Sequence, residues 1–183
     1  LYLTTHNANT SNGTNVEVFE KDEENGQEFS LEKIEKIAEG KYKIALASDP
    51  EQSITISDGN KENGANVNIQ KYTYKKYQQF EIKYTNEGYI EIIATHSGKQ
   101  LDVCGWGNGA NVEQWVENNN TDSQKWIIKK NSDGNYNIIS QRNHLYLTAH
   151  NSETANGTNI EGFEKNGGKG QEFIIENAEE API

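Results

Sequence analysis

The chain has 183 residues, which suits one domain or one domain plus part of another. Only 33% of them are apolar and the mean hydropathy is −0.92, which disfavours a large α/β core but suits a small β fold whose strands each bury one face. The net charge of −11 argues against nucleic acid and anionic membrane surfaces as partners, and no run of 18 apolar residues exists to enter a bilayer. Aromatic, Ile and Val residues recur at ordered positions, which argues against disorder. The first residue is Leu1, which reads as a fragment or a mature piece, and no signal peptide is visible. Cys104 is the single cysteine, so no internal disulfide is expected and it reads as a small apolar side chain. His6, His96, His144 and His150 are scattered, so neither a metal site nor a cofactor is expected.

In chain order the sequence is a repeat. The string N-G-[A/T]-N-[V/I] begins at Asn12, Asn63, Asn108 and Asn156. Each copy is followed by Gln-x-aromatic: Gln27 to Phe29, Gln78 to Phe80, Gln124 to Trp126, and Gln171 to Phe173. The first copy ends in S-L-E-K-I-E-K-I from Ser30, the one stretch that could be a short helix, read as a linker or hairpin. The later copies each open with an apolar strand, at Tyr42, Tyr89 and Tyr136. A second strand follows around Leu101-Asp102-Val103 and its counterparts, then a third through N-V-E-Q-W, then a fourth at Q-K-W-I-I. Turn clusters such as S-D-G-N separate them, with no helical period, which predicts an all-β fold. The string from Asp58 is weakly like a calcium loop but lacks flanking helices and the terminal Glu, so a turn is expected.

The run from Gly98 to Trp126, G-K-Q-L-D-V-C-G-W-G-N-G-A-N-V-E-Q-W through S-Q-K-W, resembles a repeat of the ricin-B lectin type, found in plant toxin B chains and bacterial carbohydrate-binding modules. The resemblance covers nearly the whole chain. It implies a β-trefoil of three repeats with pseudo-threefold symmetry, twelve strands, and shallow pockets for galactose, N-acetylgalactosamine or related sugars, up to one per repeat. The Gln of each ending is suited to bridge backbone groups, and Phe29, Phe80, Trp126 and Phe173 are expected in the core.

Family sites use an Asp on the second strand, an aromatic on the third and amides before the final Gln. Carried over, the resemblance places Asp102, Trp115 and Gln124 in the third copy. Glu113 stands where Gln is frequent and Ser123 where Asn is usual. Asn118, Asn119 and Asn120 are near enough to supply the missing amide, and Trp106 is a second ring. The other copies carry Thr4, Thr55 and Thr148 in place of the Asp, and a hydroxyl bonds more weakly than a carboxylate. The second copy also has Gln70 for the aromatic, so no site is expected there. Copies one and four keep Phe19 and Phe163 with His6-Asn7 and His150-Asn151; Thr148, His150, Asn151 and Phe163 form a weaker second candidate.

Leu1–Phe29 and Leu145–Phe173 differ at 10 of 29 positions, so 29 − 10 = 19 are identical, far more than between neighbouring copies. This predicts a tandem array: residues 1–40 as the last repeat of a preceding trefoil with its linker, 41–176 as a complete trefoil, and 177–183 as the start of the next linker. The rival is a permuted single trefoil in which copy one competes with copy four. Carboxylates such as Glu91 and Glu161 read as isolated surface groups, no hydrolase, metalloprotease or phosphate-binding motif is present, and catalysis is not expected. The expected protein is a non-catalytic sugar-binding module of a larger secreted or cell-surface bacterial protein, alongside adjacent domains of the same parent chain. The alternative is a protein-interaction trefoil with degenerate sugar sites.

Overall fold

A computed structural model describes residues 1–11, 14–21, 25–29 and 36–178. The Asn12-Gly13 turn of copy one, most of the expected helix or hairpin after Ser30, and most of the terminal linker start lie outside the described residues. The chain forms two compact units, Leu1–Lys33 and Ile34–Ile183.

The first unit is one antiparallel hairpin. Strand β1 (Tyr2–Thr5) pairs with β2 (Val16–Phe19), placing Tyr2 opposite Phe19 and Thr4 opposite Glu17. The core expectation fails for Phe29, which is 47% exposed. Among the described residues of that unit the strands are β1 and β2, and they do not close a barrel around the ring.

In the second unit, twelve strands form one sheet. The second copy supplies β3 (Gly40–Leu46), β4 (Asp49–Ile56), β5 (Ala65–Lys71) and β6 (Phe80–Tyr84). The third supplies β7 (Ile90–Ala94), β8 (Gln100–Cys104), β9 (Ala110–Trp115) and β10 (Trp126–Lys130). The fourth supplies β11 (Tyr136–Ser140), β12 (Tyr146–Ala149), β13 (Ile160–Phe163) and β14 (Phe173–Asn177). Side chains alternate across each strand: Ala65, Val67 and Ile69 of β5 are buried, whereas Asn66, Asn68 and Gln70 between them are partly exposed.

First and fourth strands close a ring, each antiparallel to the next: β3 to β6, β6 to β7, β7 to β10, β10 to β11, β11 to β14, and β14 back to β3. Closure leaves no edge among these strands. Phe80, Trp126 and Phe173 are at most 1% exposed, and the Trp126 indole donates to Leu101 O at 3.2 Å. Second and third strands form three hairpins, β4–β5, β8–β9 and β12–β13.

The repeated N-G-x-N string holds those hairpins together. In copies two to four the first Asn accepts a backbone N–H from the next copy around the ring: Val116 N to Asn63, Glu164 N to Asn108, and Lys71 N to Asn156. The adjoining glycines, Gly64, Gly109 and Gly157, sit at φ of 79°, 84° and 90°, where a Cβ is strained. The second Asn of each string meets its counterparts: Asn66 donates to Asn159 at 2.9 Å, and Asn159 to Asn111 at 3.1 Å. The motif is therefore the seam of a threefold assembly, and it closes within copies two to four. The fold is a β-trefoil with an extra partial repeat at the N-terminus.

Candidate functional site

Each repeat of the trefoil uses its recurring Gln in the same internal way. In the third, Gln124 Nε2 donates to Val116 O at 3.0 Å and to Asp102 Oδ2 at 2.9 Å, while its Oε1 accepts Asn118 N. In the second, Gln78 Nε2 donates to Lys71 O and Thr55 Oγ1, and Oε1 accepts Thr73 N. In the fourth, Gln171 Nε2 donates to Glu164 O and Thr148 Oγ1, and Oε1 accepts Asn166 N. These glutamines are at most 2% exposed. They pin the loop before the fourth strand to the second strand.

In the third repeat the group pinned is a carboxylate. Asp102 on β8 lies directly across from Glu113 on β9. Ser123 Oγ donates to Asp102 Oδ2 at 3.1 Å and also meets Thr121 Oγ1 at 2.8 Å. Thus Oδ2 takes bonds from both Ser123 and Gln124, whereas Oδ1 accepts none among the described residues. Burial, and then the nearby Asp102 charge, raise the Glu113 carboxyl above its ordinary range.

A shallow pocket of about 220 Å³ opens here. It brings together Asp102, Glu113, Trp115, Ser123 and Gln124, as the sequence predicts, with Asn118 and Thr121 beside them. Trp115 is 40% exposed, so the ring stands at the pocket instead of packing in the core. Gly64 of the preceding repeat adjoins it: a Cβ there would lie 3.7 Å from the Trp115 ring. Gln124 and Ser123 are buried behind the carboxylate and orient it. Asn119 does not line this pocket; it lines a neighbouring cavity of about 460 Å³ that also holds Asn118, Glu91 and Lys125.

Trp106 also lies outside the pocket lining, 70% exposed on the loop after β8. Its ring carries the Arg142 guanidinium 4.6 Å from the centroid, and Arg142 lines the pocket. Sequence reasoning missed Arg142 because it comes from the turn after β11, in another repeat. Cys104 corrects the apolar reading. It is exposed and lines the pocket, because it ends β8 on the outward side.

The weaker candidate in the fourth repeat holds a group that was read as isolated. Thr148 lies across from Glu161, and His150 Nδ1 is 3.1 Å from both Glu161 oxygens. Glu161 is 7% exposed and Thr148 3%, while His150 and Asn151 are exposed and Phe163 is partly buried. The first unit repeats this pair: His6 Nδ1 lies 3.0 Å from Glu17. In these copies the carboxylate of the hairpin is the third-strand Glu, the counterpart of Glu113, facing a Thr where the third repeat has Asp102. The shared Glu after N-G-x-N-[V/I] in copies one, three and four was the available signal. Among the described residues no cluster of three or more metal-binding side chains occurs.

No curated protein matches the chain. Among solved structures, ThreeFoil, a designed threefold-symmetric protein, is 28% identical with a TM-score of 0.71, covering 74% of this chain and 97% of its own. A ricin B-like lectin from Macrolepiota procera, solved with lactose, is 18% identical with a TM-score of 0.67, covering 78% and 99%. An exo-β-1,3-galactanase from Clostridium thermocellum is 23% identical with a TM-score of 0.70, and the match covers 74% of this chain but 30% of the enzyme. The family described as ricin-type beta-trefoil lectin domain-like matches residues 76–163 and 122–180, more than half of the sequence. The chain belongs to that family.

Proposed function

We propose that the third repeat is a non-catalytic carbohydrate-binding site for galactose-type sugars, N-acetylgalactosamine or related glycans. The observation that carries this reading is the Asp102 carboxylate: one oxygen is fixed by Ser123 and Gln124, the other accepts no bond among the described residues, and Trp115 stands in the same pocket. An oriented carboxylate accepts bonds from two vicinal hydroxyls, and an indole face covers the C–H face of the ring. The lactose complex of the Macrolepiota lectin supports the sugar class. A sugar of about a dozen heavy atoms at roughly −0.3 kcal/mol per atom binds near the millimolar range, so linked sites are useful. A glycan array with Asp102→Ala as control tests the reading. Loss of galactoside signal in the variant is expected; unchanged signal would move binding elsewhere. Silence toward every glycan would favour the alternative, a protein-interaction trefoil, for which the Thr residues in the other repeats argue.

The same reading extends to the parent protein. The N-terminal hairpin belongs, on this proposal, to a repeat of a second trefoil in a larger secreted or cell-surface bacterial chain, targeting an enzyme or toxin domain to glycans. Residues 1–40 would then be the last repeat of that trefoil and its linker, and 41–176 the complete one. The 19 positions shared with the fourth copy support this, as do Leu3, Val16 and Val18, which are more than half exposed whereas Leu147 and Ile160, the fourth-copy counterparts of the first two, are 0% exposed. Deleting residues 1–33 should leave the melting of the remainder unchanged. A large loss of stability would instead favour the permuted arrangement.

A further inference from the structure

We propose, resting on the sugar reading above, that the third-repeat pocket continues onto Arg142 and Trp106 as a second subsite, which takes a sugar residue bearing an anionic group, a carboxylate or a sulfate. Arg142 is the single arginine of a chain with 28 acidic and 17 basic residues. In such a chain an arginine is expected to be paired. Among the described residues it forms no ion pair within 4.0 Å, although Asp102 and Glu113 line the same pocket. Its guanidinium instead lies 4.6 Å from the centroid of Trp106. A guanidinium held over a ring face by cation–π attraction keeps the N–H donors that point away from the ring available.

The geometry around the pair is built, not incidental. Asn143 Nδ2 donates to Gly105 O at 3.2 Å, which ties the turn carrying Arg142 to the loop carrying Trp106. Arg142 N donates to Ser140 Oγ at 3.2 Å and sets the start of that turn. Trp106 keeps 70% of its surface exposed, a large apolar face held beside a sugar pocket. An indole face of that kind suits a second pyranose ring. A planar fork of donors fits a carboxylate or sulfate by paired bonds, better than it fits a neutral hydroxyl. The two carboxylates stay with the neutral first ring, where acceptors for hydroxyls are needed. The ligand class is therefore a disaccharide or longer glycan: a neutral galactose-type ring at Trp115, then an acidic substituent at Arg142.

The test titrates the full chain with lactose, 6′-sialyllactose and 6′-sulfated lactose, which keep the galactose 2-, 3- and 4-hydroxyls free, by calorimetry, at low and high salt. At low salt, at least one acidic form should bind about tenfold tighter than lactose, because charge-assisted bonds gain about that much. The ratio should fall in high salt and collapse to about one in both Arg142→Gln and Trp106→Ala. The sialyl and sulfo arms tell carboxylate from sulfate. Equal affinity for lactose and both acidic forms overturns this inference while leaving the sugar reading intact. An acidic preference that survives Arg142→Gln also overturns it. Failure of all three glycans to bind overturns the sugar reading and this inference together.

Discussion

In the second repeat Gln78 donates to Thr55, and in the third Gln124 donates to Asp102 at the matching position. The loop ties, the Asn latches and the buried aromatic are the same in both. Yet Asn68 and Gln70 of the second repeat stand where the third has Glu113 and Trp115. The scaffold asks only for a hydrogen-bond acceptor facing the Gln, and a hydroxyl serves as well as a carboxylate. The pocket lining is therefore free to vary while the barrel stays constant, and the two repeats separate what holds the fold from what lines the pocket.

The largest expected effect distinguishes two of the three tryptophans of the third repeat, Trp126 and Trp115. Trp126→Ala should destabilise the protein by about 3–5 kcal/mol in denaturant titrations, since it empties the barrel. Trp115→Ala should change stability by less than about 1 kcal/mol while weakening galactoside binding about tenfold. A matching loss of stability in both would break the distinction. The glutamines sharpen it further. Gln78→Ala and Gln124→Ala should each cost about 1–3 kcal/mol, because loop N–H groups lose their acceptor. Only Gln124→Ala should also weaken binding, because it releases Asp102. Equal binding in the two variants would show that orientation of the carboxylate does not matter.

The smallest effect concerns pH. The Glu113 carboxyl is raised in the fold by burial and by Asp102. The folded chain thus holds that proton more tightly than the unfolded chain, and the associated stability is lost as pH rises through the raised value. Glu113→Gln removes this loss, so its stability relative to the parent should increase from about pH 4 to about pH 7. A constant difference in melting temperature across that range would contradict the assignment. Asn68, the counterpart in the second repeat, carries no charge, so Asn68→Ala should show no such pH trend.

The first and fourth copies show how far sequence reading reaches. Their 19 shared residues made the duplication plain, but Leu147 is 0% exposed and its counterpart Leu3 is 58% exposed. Burial is a property of the strands around a residue, not of the residue, which is why Phe29 fails as a core position while Phe173 succeeds. The trefoil itself was readable because N-G-x-N and Gln-x-aromatic are the seam and the loop tie, both local in sequence. Asp102 and Trp115 were readable because they lie within one hairpin. Arg142 was not, because a neighbouring repeat delivers it. Glu161 was passed over because the carboxylate was sought on the second strand, and only the register shows it across from Thr148.

The central claim is that Asp102 and Trp115 together hold a sugar ring. It is tested most directly by titrating the ¹⁵N-labelled chain with methyl β-galactoside and following the three indole N–H signals, those of Trp106, Trp115 and Trp126. The account predicts a saturable shift of the Trp115 signal in the millimolar range, none for buried Trp126, and loss of the shift in Asp102→Ala. A Trp115 signal that stays still at saturating sugar, or that moves equally in the Asp102→Ala protein, would contradict it.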